Sequence, residues 1–189
     1  MSADSTDVRA TFVAFRKECI WLRTCYDTFY ALFGDNEENE RVLRSAAPVF
    51  FTDLNVIFIE YWVLVVSRIT DPAKSMGREN LTVQNLMGAL ASSGDSNPAI
   101  EATAKALQDY RALVVNGRNR IVSHADKEAF LANSVLGAHA EADLCLFLRN
   151  LQLFNDLVGE TVGEGPLDFT GTSEPGDAYD LIRALKTVD

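Results

Sequence analysis

The chain is poor in the residues that metal and thiol chemistry need. Its 189 residues include only two histidines and three cysteines. Cys19, Cys25 and Cys145 have no ligand-like spacing, and each falls inside an apolar helical pattern. That predicts reduced core thiols in a cytoplasmic protein rather than disulfides or a metal site. A carboxylate-bridged dimetal bundle wants Glu-x-x-His pairs, but Ile121 and Leu136 stand three residues before His124 and His139. No metal and no other cofactor is therefore expected. No glycine loop of nucleotide-binding type, no internal repeat and no convincing strand alternation is present. The first residues are polar and acidic, so no secretion signal is read. The one long apolar run, Val56 to Val66, is interrupted by Glu60. It falls short of the roughly 20 residues that a bilayer crossing needs, and we read it as a buried core helix with no membrane partner.

Positive charge is also scarce. Seventeen lysines and arginines face 27 acids, for a net charge of −10, and such a field opposes general nucleic-acid binding. The deficit is uneven. Residues 156–189 carry eight acids against Arg183 and Lys186, a net of −6. Over residues 105–127 the balance reverses: Lys105, Arg111, Arg118, Arg120 and Lys127 stand against Asp109 and Asp126, a net of +3.

What the chain has in quantity is helical seam. Val8, Phe12, Phe15, Cys19, Leu22, Tyr26, Phe29 and Phe33 alternate steps of four and three, which predicts one long amphipathic helix. Asp35 or Asn36 caps a second, expected from about Glu37 to Ile69; it is apolar nearly all round, so we place it at the bundle centre. Asp71-Pro72 ends it. A short helix near Thr82, a fourth opening at Asn97-Pro98 and a fifth from about His139 to Val158 follow. Asp126 can cap a short helix through Phe130 and Leu131, and Asp177 one through Leu185. The expected fold is all-α, an up-and-down helical bundle of about five main helices plus short ones. Residues 1–158 form its main domain. Residues 159–189 read as an acidic, Gly- and Pro-containing tail, loop or loosely held, with a short C-terminal helix. Glu60 either reaches a helix edge, pairs with a partner such as Arg68, or lines a cleft.

The basic island coincides with Arg118-Asn119-Arg120-Ile121-Val122-Ser123-His124-Ala125-Asp126. Histidine moves a proton near neutral pH, and arginine holds a phosphate's charge. The spacing alone is loose, because 12 arginines and two histidines satisfy it readily by chance. On one unbroken helix Arg118 and His124 would point about 120° apart. Arg120 and His124 would share a face. A site joining Arg118 to His124 thus needs a helix break or a partner subunit.

That run resembles the signature of the HEPN superfamily: an arginine, a polar residue and a downstream histidine. The likeness is closest to the abortive-infection U-type branch, in which a helix ends in a pattern like Ser67-Arg68-Ile69-Thr70-Asp71-Pro72. A short segment like Asn80-Leu81-Thr82 follows there, and the Arg/His motif comes about forty residues later. The resemblance covers roughly residues 8–158. It implies a metal-independent endoribonuclease in phage defence or a toxin–antitoxin pair, working as a homodimer whose two Arg/His sets face one cleft. An antitoxin protein and an RNA substrate are the implied partners. It carries over Arg118 as the motif arginine, Asn119 as the polar residue and His124 as the motif histidine. Arg120, Lys127, Arg111 and Arg68 are candidates to hold the strand, although Arg68 and Asp71 also suit fixing the turn. The superfamily includes inactive members too, so the alternative is a non-catalytic module binding a nucleotide, RNA or a partner protein. In a third reading, the first-helix seam serves dimerisation in a structural interaction domain.

Overall fold

The computed structural model describes residues 3–117, 140–169 and 175–187. Among them are seven helices, α1 (Ala3–Phe33), α2 (Glu37–Ala46), α3 (Pro48–Thr70), α4 (Val83–Ser93), α5 (Pro98–Gly117), α6 (Glu141–Val162) and α7 (Ala178–Lys186). The short helix expected after Asp126 lies outside the described residues. One two-residue hairpin, β1 (Lys74–Ser75) with β2 (Arg78–Glu79), pairs antiparallel. Met76 and Gly77 at its tip both have positive φ, the geometry of a tight hairpin turn, which an Asn-Gly or Asp-Gly search does not detect. The all-α bundle is as expected.

Helix boundaries follow local chemistry. Asn36 accepts from the Asn39 amide, Thr82 from Asn85, and Asn97 from Ala99 and Ile100. Asp177 accepts from Tyr179 and Asp180. Each side chain satisfies amide donors that have no partner inside their helix.

The expected second helix is in fact two. Pro48 has no N–H to give and its ring crowds the preceding turn. The residue before a proline is also pushed away from helical geometry, and Ala47 sits at φ −160°, ψ 75°. The chain breaks there and restarts with Pro48 in the first turn of α3.

The central placement also needs correction. The second half of α3 is core: Val65 and Val66 are fully buried and Ile69 nearly so. The first half buries only one side. Phe51 packs with Ala31, Leu32, Leu43, Ala178 and Ile182, and Leu54 and Phe58 adjoin them. Val49, Phe50, Val56 and Ile57 face solvent.

The main core draws on five helices and the return segment. Phe12, Phe15, Cys19 and Leu22 of α1 meet Leu86 and Leu90 of α4, Ile100 and Leu107 of α5, Phe147, Leu151 and Phe154 of α6, and Phe169. Since these α1 residues are at most 1% exposed, this part of the seam is consumed inside the single chain and offers no dimer surface. Phe15 and Phe154 meet edge to face at 5.9 Å.

The segment after α6 is held against the bundle. Gly159 and Gly165 pass so closely that a Cβ on Gly159 would lie 3.3 Å from both the Gly165 Cα and the Phe12 ring. Gln152 donates to the Leu167 carbonyl at 2.9 Å, and Arg9 and Arg16 pair with Glu164. Lys186 on α7 pairs with Glu38 on α2 at 2.7 Å.

Truncating a fully buried ring removes its transfer energy and leaves a cavity. Phe154→Ala should therefore lower unfolding stability by about 3–5 kcal/mol in urea titration. Its neighbour Leu153 is 47% exposed, and Leu153→Ala should cost less than about 1 kcal/mol. Equal losses would contradict this core.

Candidate functional site

The Arg/His motif begins immediately after α5. Arg118, Asn119, Arg120, His124 and Lys127 lie outside the described residues, and so does His139. What can be built is the platform from which the chain leaves at Gly117 and to which it returns at Ala140.

Helix α3 stops because Asp71 turns extended, at φ −63° and ψ 163°, and Pro72 blocks continuation. Its last turn leaves carbonyls without intrahelical donors. The Thr70 carbonyl takes the Gln108 side-chain amide at 3.0 Å. The buried Thr70 hydroxyl turns back on its own helix and donates to the Val66 carbonyl at 2.6 Å. Asp71 accepts from Arg111 Nη2 at 2.8 Å, with the two side chains 20% and 24% exposed. Gln108 and Arg111, three apart on α5, thus grip the end of α3 with one face. Arg111 lies six residues before Gly117, about 9 Å along the axis.

The hairpin closes on the same place. Asn80 donates its side-chain amide to the Pro72 carbonyl at 2.9 Å, and its backbone amide to the Ala73 carbonyl at 2.8 Å. Thr82, 1% exposed, caps α4 two residues on. The turn Thr70–Pro72, Asn80 and the α5 face are therefore one hydrogen-bonded cluster. Segments separated in sequence are joined by backbone carbonyls, which the sequence alone does not advertise.

Of the candidate strand-holding residues, two can be placed. Arg111 is engaged with Asp71; its Nε is buried without a hydrogen-bond partner among the described residues. Arg68 pairs with Glu18 on α1 rather than with Glu60, and its side chain remains 51% exposed. Glu60 is half-buried at the edge of α3, on the side shared with Val56 and Ile57. Within the basic island, Lys105 pairs with Asp109 one turn along.

On the other side of α5 is an aromatic lock. The Trp62 indole donates to the Tyr110 hydroxyl at 3.2 Å. Tyr110 stacks on Phe147 with centroids 4.4 Å apart, and Trp62 meets the same ring edge-on. Beside it opens a wholly apolar pocket of about 160 Å³, lined by Cys25, Tyr26, Phe29, Phe58, Ile59, Trp62 and Leu144. No periodicity argument anticipates this pocket, since its residues come from α1, α3 and α6.

Thiol chemistry finds little support in α1. Burial pushes the Cys19 thiol up to about 12, and Cys25 up to about 11. Both stay protonated at neutral pH, and the thiol is not the nucleophilic form. Among the described residues, no three His, Cys, Asp or Glu side chains are grouped as metal ligands.

Comparison with known families gives a match over residues 5–181 to the family model HEPN AbiU2, described as AbiU2. Comparison with curated proteins and with solved structures gives none.

If Arg111 and Asp71 anchor α5 to α3, a double-mutant cycle of Arg111→Ala and Asp71→Ala should return a coupling of about 1–3 kcal/mol in chemical unfolding. Exposure of about a fifth of each side chain limits the value through solvent screening. Strictly additive losses would show that the pair anchors nothing.

Proposed function

Since the chain belongs to the AbiU2 family of HEPN domains, we propose that it is a metal-independent endoribonuclease of phage defence, working from Arg118, Asn119 and His124. The observation that carries this reading is the position of the motif. It follows directly on a helix that Gln108 and Arg111 fasten to the Thr70-Asp71 turn, so the other segment the family shares supports the base from which the motif departs.

The chemistry asks for two proton transfers. A base takes the proton of the ribose 2′-hydroxyl as that oxygen attacks the adjacent phosphorus. An acid protonates the departing 5′-oxygen, leaving a 2′,3′-cyclic phosphate and a free 5′-hydroxyl. An imidazole with an ordinary pKa of about 6.5 suits either step near neutrality. The Arg118 guanidinium would hold the charge gathering on the non-bridging oxygens, which its planar fork fits better than a lysine. Asn119 would orient the phosphate or the imidazole. With one such histidine per chain, base and acid are both supplied when two copies share a cleft. A homodimer is therefore part of the proposal, and in a toxin–antitoxin setting an antitoxin protein would be the restraining partner.

A second reading is a module that binds a nucleotide, RNA or a protein without cutting. It is favoured by the charge: the net is −10, and Lys105 and Arg111 of the basic island are both engaged with carboxylates. That weakens capture of RNA from bulk.

Induced expression separates the two. Growth arrest with loss of cellular RNA is expected from the wild type and not from His124→Ala or Arg118→Ala. The purified variants should cleave about 10²–10⁴-fold more slowly. Cleavage should persist in EDTA; abolition by chelation would rule this mechanism out, and harmless growth for all three proteins would favour the binding module.

A further inference from the structure

We propose that the β1–β2 hairpin is an RNA-contacting finger: Met76 lies against the face of an unpaired base, and Arg78 with Ser75 holds the phosphate beside it. The inference rests on the reading above that this chain acts on RNA, and it adds a contact outside the Arg/His motif.

The tip is strained. Met76 is the one non-glycine among the described residues with positive φ, at 49°, and Gly77 follows at 77°. Such a turn forms most easily from Asn-Gly, because a longer side chain in left-handed geometry crowds its own backbone. Packing offers no compensation, since Met76 is 100% exposed. An apolar side chain held in water on a strained backbone contributes nothing to the fold. Strain that no packing offsets points toward use.

The ladder below the tip supplies the charge. Ser75 pairs directly with Arg78, so the hydroxyl and the guanidinium stand on one face of the hairpin. Both residues are exposed, and Arg78 has no ion-pair partner among the described residues. On the other face Lys74 pairs with Glu79 at 3.2 Å, which offsets the one acid of the hairpin. A free planar fork next to a hydroxyl suits a phosphodiester.

The finger is fixed at its root. Asn80 donates to the Ala73 and Pro72 carbonyls, and Asp71 is tied to Arg111 on α5. From that root the hairpin extends about 10 Å to its tip. Helix α5 runs about 9 Å from Arg111 to Gly117, after which the motif follows. Lengths on this scale fall within the roughly 4–16 nucleotides that single-stranded binders occupy.

RNA fits the finger better than a protein does. A specific protein interface takes about 800 Å² from each partner, whereas this tip offers one apolar side chain. An unstacked base presents a flat face that a single side chain can cover, and methionine is among the side chains that wedge against bases.

The test is fluorescence anisotropy with a labelled single-stranded RNA of about 20 nucleotides, longer than such sites. Every protein carries His124→Ala, so that binding is read without cleavage. Met76→Gly should weaken binding at least about 5-fold. Its melting temperature should hold or rise, because glycine adopts this φ freely, so the lost affinity is not lost folding. Met76→Leu should keep the affinity. Arg78→Ala should weaken binding about 3–10-fold and flatten the salt dependence by about one phosphate contact. Arg41→Ala removes the same charge from α2, across the 23 residues of α3, and should change little. Unchanged affinity in either Met76→Gly or Arg78→Ala would overturn the proposal; in both, it would leave the hairpin to a protein partner. So would an equal loss in Arg41→Ala, or no binding by the parent protein at about 100 µM, the weak end of non-specific affinity. Anisotropy and cleavage are separate readouts. Hairpin-dependent binding by a chain that cuts nothing with His124 intact would count against the nuclease and leave the finger standing.

Discussion

The last turn of α3 leaves carbonyls without intrahelical donors, and α5 supplies a donor to the one at Thr70. A helix end buried without partners is costly, because each unpaired polar group forfeits its hydration. Here Gln108 meets the Thr70 carbonyl and Arg111 meets Asp71. The hairpin behind them is pinned by Asn80 to Pro72. Satisfying one helix terminus thereby sets the crossing of α3 with α5, the path of the connection to α4, and the direction in which the chain runs at Gly117. The aromatic lock of Trp62, Tyr110 and Phe147 then fixes the other side of α5 against α3 and α6.

The same helix shows how composition can mislead about position. From Pro48 to Thr70 the mean hydropathy of its best window is 1.8, yet only 22% of that window is buried. Apolar residues all round a helix say that it can be covered on every side, without saying that this chain has enough other helices to do it. With α1, α2 and α7 on one side of its first half, no other described residues cover the other. The surplus hydrophobicity therefore falls on the surface, where it costs solubility unless something binds there.

Much of the fold was legible because its signals are local. The α1 seam through Phe12, Phe15, Cys19 and Leu22 is buried as its periodicity required, and Asn36, Thr82, Asn97 and Asp177 cap where capping residues should. The break at Pro48 has a local signal as well, a residue without an N–H, although the apolar run around it predicts one continuous helix. Coverage, by contrast, is a property of the assembled bundle. The exposed stripe, the apolar pocket and the pairing of Arg68 with Glu18 rather than Glu60 depend on which helices become neighbours. The proposed site is a motif without a geometry: chemistry singles out Arg118 and His124, which lie outside the described residues, while the turn beside α5 rests on backbone carbonyls that have no letter in the sequence.

An acidic protein that acts on RNA is not a contradiction if its charges are kept local. At physiological salt a field fades over about 8 Å, so acids on the far side of the bundle hardly reach a phosphate beside α5. Neighbouring acids matter more, and three of the described ones are held in ion pairs: Asp71 with Arg111, Asp109 with Lys105, Glu18 with Arg68. In the sequence that follows Gly117, Arg118, Arg120 and Lys127 stand against Asp126 and Glu128, a net of +1. Such an arrangement suits slow, selective capture rather than avid binding of any strand. For the cleavage proposed above, weak attraction to bulk RNA would itself be a restraint.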